Sequence, residues 1–270
     1  MRSIKARSIR ARSIEVKGLG VGKWLVVMLL LLWASQPLIA EIPKIYHGMP
    51  FVYDYIRGMF PPEFSILPQL WQPLVETLQV AVTSIFLAAL IALPVSFLAA
   101  KETAPNLLLY MLSTSTINFL RTMPTLLWAI LFVAMVGLGP LAGVFALTAH
   151  CIGALGKYFQ EAIEVTVPAI SEVLEAMRID GANEWQVMRH GVFPAVAPLF
   201  ASYVMYYLEW CVRVGTTLGL VGAGGVGLQL TQSIRLFRRQ QTLAIVILIL
   251  CMVFAINFSS RIIRKGLVDG

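Results

Sequence analysis

Two charged residues stand four apart inside an otherwise apolar run, Glu209 and Arg213, between Phe193 and about Leu220. That spacing puts both on one face of a helix, where they can pair. Charges in a run this apolar are costly and face a cavity or a partner. Two chemistries are open. The pair holds its helix in a bundle as a structural ion pair, or Arg213, relieved by Glu209, lends positive potential to a path for an anion. Arg121 has no acid close to it in sequence. It is either interfacial, with its stem on apolar surface and its head in water, or a second cation of that path. His150 is either a satisfied core histidine or a group that donates a hydrogen bond to an oxyanion. The hydroxyls of Thr114, Thr116, Thr216 and Thr217 are candidate donors for the same path, although threonine also bonds its own helix backbone.

Other chemistries find no residues. The sequence holds no nucleophile–base–acid set, no metal-ligand cluster, no paired catalytic carboxylates, and neither a GxSxG nor an HExxH spacing. An intramembrane enzyme is disfavoured and no metal site is expected. Gly222, Gly224 and Gly227 spell G-x-G-x-x-G, but the dinucleotide reading needs a strand before it and an acid about twenty residues on. Here an apolar span precedes it, and Thr242-Leu-Ala-Ile fills the acid's region. The better reading is structural: Gly222, Gly224, Gly225 and Gly227 allow bent backbone and close helix packing at the external mouth of a path. Gly22-Lys23 imitates the end of a phosphate-binding loop, but Lys17 takes the first Gly position and Trp24 the Ser/Thr position. The chain therefore has no ATPase of its own.

The elements that must position these residues follow from composition. Of 270 residues, 58% are hydrophobic and 13% charged, about half the charge of a soluble domain. The apolar runs are continuous, and in lipid the backbone must satisfy itself, so they are helices. The net charge of +7 is concentrated at the start, where Arg2, Lys5, Arg7, Arg10, Arg12, Lys17 and Lys23 face Glu15 alone. A basic flank before a first span favours the cytoplasmic side, and nucleic acid is not needed to explain it. Residues 1–22 are read as a basic cytoplasmic tail, its RSIKA-RSIRA-RSIE repeat either a disordered orientation tag or a segment on anionic lipid. Residues 23–41 are the first transmembrane anchor, preferred over a cleaved leader. Residues 42–72, with Tyr46, Tyr53, Tyr55 and Trp71, form an external segment with interfacial aromatics. Residues 73–270 hold the remaining spans: Pro73–Ala100; a bent or tilted Asn106–Gly137 with Pro124 inside; Leu141 to about Tyr158; Phe193 to about Leu220; and Thr242–Ile262. About six spans with both ends inside is self-consistent. Arg235, Arg238 and Arg239 then lie outside, so either that loop needs cations or the span count fails there. Cys151, Cys211 and Cys251 read as small core residues.

The polar exception is Glu175 to Pro194, EAMRIDGANEWQVMRHGVFP, within a cytoplasmic loop at 168–194. Two short helices meeting at Gly181 make a rigid knob, and an amphipathic helix of this kind can dock in a groove of a separate protein. Glu175-Ala176, Gly181-Ala182 and Pro194 resemble the EAA loop of ABC importer permeases, which couples to the ATPase. Two positions depart from that pattern: Met177 replaces the second Ala, and Gly191 stands where Ile is usual.

Pro61-Pro-Glu-Phe64, Val136–Gly143, the EAA-like loop, and Arg213 leading into Val221–Gly227 together resemble the phosphonate-type ABC importer permeases. The resemblance runs from about Pro61 to the C-terminus. It implies an all-α MetI-like fold in a bacterial inner membrane, multi-pass, with both termini cytoplasmic. It implies a second copy of this chain, two ATPase subunits that use ATP and Mg, and a periplasmic or lipid-anchored solute-binding protein, with no cofactor on this chain. Substrates would be phosphonates, phosphite or hypophosphite, moved by alternating access. A related permease for another solute such as methionine is the first alternative. An ion-coupled secondary transporter is a second and a non-transporting scaffold a third; neither explains the EAA-like loop.

Overall fold

The structure, a computed structural model, describes residues 21–268, and among these it is helical with no strand. The basic repeat of the tail lies outside the described residues. The chain divides into two compact units at Arg57 and Gly58.

The first unit holds α1, Val21–Arg57. At 1.5 Å per residue it is about 55 Å long, beyond the ~30 Å of a hydrocarbon core. The expected end near Glu41 is not there. The helix runs on through Pro37, Pro43 and Pro50, and Glu41 and Lys44 pair one turn apart at 2.6 Å. Hydropathy falls at Glu41, but propagating a helix already nucleated costs little. The aromatics of the external segment up to Tyr55 are therefore helical.

The second unit begins with a cis Phe60–Pro61 bond and a 3₁₀ turn at Phe64–Ile66. That turn leads into α2, Leu67–Ala99, with Pro68 in its first turn, where the missing N–H costs nothing. The helix thus starts before Pro73, the expected boundary. Its buried side is a stripe of small residues, Ala81, Ser84, Ala88, Ala92, Ser96 and Ala99. It packs on α5, Pro140–Ala169, which buries Ala142, Gly143, Ala146 and Ala154. Small residues let membrane helices approach closely. Ser84 Oγ donates to the Val144 carbonyl at 3.2 Å, which ties the pair where lipid offers no hydrogen bonds.

Between them the expected bent element is two helices, α3 Leu107–Thr122 and α4 Thr125–Val136, which meet at 90°. Met123 is extended (ψ 126°) and Pro124 has no N–H, so the helix cannot cross this point. Among the described residues, five helices are long and apolar enough to cross a membrane, or six if this bent pair counts as one span.

Beyond α5, which runs past the expected Tyr158, come α6 Ser171–Ile179, α7 Glu184–Val187 and a π-helical turn at Met188–Val192. Then follow α8 Phe193–Leu218, α9 Gly225–Arg235 and α10 Arg239–Val268. Helix α9 occupies part of the stretch expected to be a cationic external loop. Cys151 and Cys211 are buried in the core, with sulfurs 3.3 Å apart. Cys251 is exposed on α10, which corrects the expectation that all three are core residues.

Candidate functional site

The exposed faces of the second unit differ in chemistry. Val82, Phe86 and Leu90 on α2, and Leu250, Phe254 and Phe258 on α10, are apolar and exposed, as a lipid-facing surface requires. On α3 the exposed side carries Ser115, Asn118, Arg121 and Thr122 among apolar Leu108, Met111, Leu112 and Phe119, and on α8 it carries Tyr206, Arg213 and Thr217. Hydrocarbon cannot solvate such groups, so these faces meet water or protein.

On α8 the Arg213 guanidinium meets the Glu209 carboxylate at 2.6 Å. The two are unequal: the Glu209 side chain is 10% exposed and that of Arg213 is 56%. The acid is held inside the bundle and projects its cation outward. A guanidinium has five donors in a fork, so one contact to Glu209 leaves donors for another oxyanion. One helical turn nearer the start of α8, Trp210 stacks on His150 of α5, with ring centroids 4.8 Å apart and planes at 14°. The His150 Nδ1 is buried with no hydrogen-bond partner, so this histidine is not fully satisfied within the described residues. Arg121 ends α3, where a cation complements the helix dipole, and Gly153 of α5 leaves room for its backbone. The threonines are spent locally. Thr217 donates to Val214 and Thr216 to Arg213 on their own helix, Thr116 donates to Leu112, and Thr114 reaches the Ala99 carbonyl at 3.4 Å.

The glycine-rich segment is built around a residue the sequence did not single out. Glu76, in α2, accepts from the Gly225 N–H at 2.8 Å, and the Thr77 hydroxyl accepts from the Val226 N–H at 2.9 Å. These are the first amides of α9, so two side chains of α2 cap that helix, the carboxylate also meeting its positive end. Gly224 (φ 80°) and Gly225 (φ 68°) hold a left-handed backbone, which only glycine adopts without strain. A side chain on Gly224 would strike Glu76, and one on Gly227 would strike the Thr216 carbonyl. The Gly222 carbonyl accepts from the Gly139 N–H at 2.9 Å, fastening the segment to the α4–α5 turn. Among the described residues no strand precedes it, and the glycines lie in close packing against α2 and α8.

At the other end of α8, α6 closes in a Schellman motif. Ala182 N–H donates to Met177 and Gly181 N–H to Arg178, with Gly181 at φ 92° and no heavy atom within 4 Å of an added Cβ. Asn183 and Gln186 form a capping box on α7. Arg178 spans the turn to Glu184 in two hydrogen bonds of 2.9 and 3.0 Å. Glu175, Ala176, Gly181 and Pro194 are exposed and Ala182 half-buried, while Ile179 is 85% exposed. The two departures from the motif meet in space: Gly191 leaves room for the side chains of Leu174 and Met177.

A polar turn of short helices at one end and a capped glycine-rich segment at the other are joined by α8, which carries the exposed Arg213. Known proteins resemble this chain in sequence and fold. A family model described as the inner membrane component of binding-protein-dependent transport systems matches residues 92–269. The phosphite transport system permease protein PtxC of Stutzerimonas stutzeri is 36% identical over 259 residues, covering 93% of this chain and 92% of its own length. The phosphate-import permease protein PhnE of Mycolicibacterium smegmatis is 36% identical over 222 residues, 82% of this chain and 41% of the relative. In an inward-facing structure of the MetNI methionine ABC transporter, the matched chain superposes with a TM-score of 0.65 at 23% identity, covering 76% of this chain and 99% of that one; at that identity the likeness speaks for the fold. The chain belongs to the binding-protein-dependent transport system inner membrane components, with the fold of MetI-type ABC importer permeases.

Proposed function

We propose that this chain is the membrane subunit of an ATP-driven importer of small phosphorus oxyanions, phosphite or phosphonate among them. The observation that carries the substrate class is Arg213, a half-exposed guanidinium held by a buried carboxylate on a helix inside the membrane. An anion about 4 Å from a cation gains roughly 4 kcal/mol at an effective dielectric constant near 20. Glu209 offsets part of that, so the site attracts an oxyanion without trapping it, as conduction requires. The names of the phosphite and phosphate permeases that resemble this chain support the same class.

In this reading two copies of the chain face each other across the polar faces of α3 and α8. Two ATPase subunits bind ATP and Mg and grip the α6–α7 knobs from the cytoplasm, where both termini also lie. A solute-binding protein delivers the anion to the glycine-rich mouth outside. ATP-driven closure of the ATPases pulls on the knobs and opens the dimer outward; hydrolysis resets it inward. The rigid pieces suit this role, because the Arg178–Glu184 bridge makes the knob one body and the π-helical turn passes its displacement into α8.

The test is ATPase activity of the purified permease–ATPase complex in lipid, with binding proteins loaded in turn with phosphite, methylphosphonate, phosphate and methionine. Stimulation by a phosphorus oxyanion supports the reading. Stimulation by the methionine-loaded protein alone overturns the substrate, and absence of any associated ATPase overturns the coupling role.

A further inference from the structure

A groove of about 480 Å³ opens where the lower part of α2 meets the π-helical turn and the start of α8. Pro94, Phe97 and Leu98 line one side, and Trp185, Arg189 and Phe193 the other. Its walls are almost wholly apolar, and Arg189 is the one charged residue among those that line it. The apolar stripe of Val82, Phe86 and Leu90, all exposed and spaced four apart, runs down α2 to Pro94 and into this groove. The groove is thus continuous with the surface assigned to lipid. In the orientation proposed above, Lys101-Glu102, just past the end of α2, stand at the cytoplasmic boundary, which puts the groove at the depth of that leaflet's headgroups. Trp185, 69% exposed, and Arg189 are the residue types that anchor at this level. The adjoining cleft, which also has Phe97, Leu98 and Trp185 in its wall, reaches Arg178 and Glu184 of the knob. Of the two arginines here, Arg178 is committed to Glu184.

We propose that the groove seats an anionic phospholipid of the cytoplasmic leaflet. One acyl chain lies along Pro94, Phe97 and Phe193, the phosphate meets Arg189, and Trp185 sits at headgroup level. Basic residues in clefts between spans on the cytoplasmic side bind anionic headgroups by this chemistry. The lipid fills the gap between α2 and the segment that joins the knob to α8. It is therefore a structural part of the lever through which ATP-driven movement would reach the pathway.

The test is quenching of Trp185 fluorescence, taken as the difference between the wild type and Trp185→Phe, in the permease–ATPase complex in lipid nanodiscs. The probes are phosphatidylglycerol and phosphatidylcholine with brominated acyl chains. Brominated phosphatidylglycerol should quench Trp185 at a lower mole fraction than phosphatidylcholine. Arg189→Gln should raise the phosphatidylglycerol requirement roughly fivefold, the effect of one basic side chain at an anionic surface. Leu93→Trp, which fills the groove from α2, should abolish the Trp185-dependent quenching by both lipids, measured against the same variant with Trp185→Phe. Equal response to the two headgroups, or indifference to Arg189→Gln, would overturn the proposal. So would protection of Trp185 only when the ATPase is present, which would give the groove to that subunit instead. No transported solute enters the measurement, so it fails or succeeds separately from the importer reading.

Discussion

Met177 and Gly191 fit one another: a Cβ built on Gly191 would lie 3.2 Å from the Met177 sulfur and 2.5 Å from Leu174 Cδ2. Each departs from the EAA pattern, and the larger residue on α6 lies beside the space that the smaller one leaves after α7. Gly191→Ile alone should overpack this contact and cost about 1–3 kcal/mol. Gly191→Ile with Met177→Ala should recover part of that loss. A double-mutant cycle on thermal stability of the complex measures the coupling, and additive losses would show that the two positions do not communicate.

Gly181 carries the turn of the knob at φ 92°. A β-branched residue there pays roughly 1–2 kcal/mol for the left-handed backbone. Gly181→Val should leave the permease in the membrane and reduce both its association with the ATPase and uptake. Pull-down of the ATPase by the variant checks this, and wild-type recovery with normal uptake would remove Gly181 from the coupling role.

Much of this was legible because it is local. A four-residue spacing announced Glu209 and Arg213, a proline announced the bend at Pro124, and a glycine three residues past Arg178 announced the turn of the knob. What was not legible is long-range or buried in backbone. Glu76 has no charged neighbour in α2, and its partner is an amide 149 residues away; hydrogen bonds to backbone leave no mark in side-chain periodicity. The His150–Trp210 stack joins two helices that the sequence could place in order but not in rotation. The length of α1 was hidden for another reason: hydropathy marks where the apolar run ends near Ala40, and the helix continues to Arg57.

The Glu76 cap makes its own prediction. Glu76→Ala strands the Gly225 N–H and should destabilise the α9 start by about 1 kcal/mol, while Glu76→Gln keeps an acceptor and should lose less. Hydrogen exchange of the first amides of α9 reads this directly. Equal protection in all three proteins would mean the cap is not needed.

Glu184 gives a pH dependence. Its hydrogen bonds from Arg178 hold the carboxyl below the usual glutamate value. A depressed pKa stabilises the folded knob above the ordinary glutamate pKa, and the contribution is lost as pH falls through the lowered value. Both side chains are solvent-exposed, so the effect is small and weakens with salt. Acidification below pH ~4 should loosen the α6–α7 turn, as proteolysis at the Gly181 turn would report. Glu184→Gln should already be loose at neutral pH, with no further acid step from this site; an unchanged acid step would assign it to another group.

Uptake of radiolabelled phosphite into proteoliposomes holding the assembled complex tests the role of Arg213 most directly. Arg213→Gln should cut uptake at least tenfold, a loss of about 1.4 kcal/mol or more, with the complex intact and Arg213→Lys partly active. Uptake at the wild-type rate by an intact Arg213→Gln complex would contradict the anion path, and a complex that falls apart would make the Glu209–Arg213 pair a structural tie.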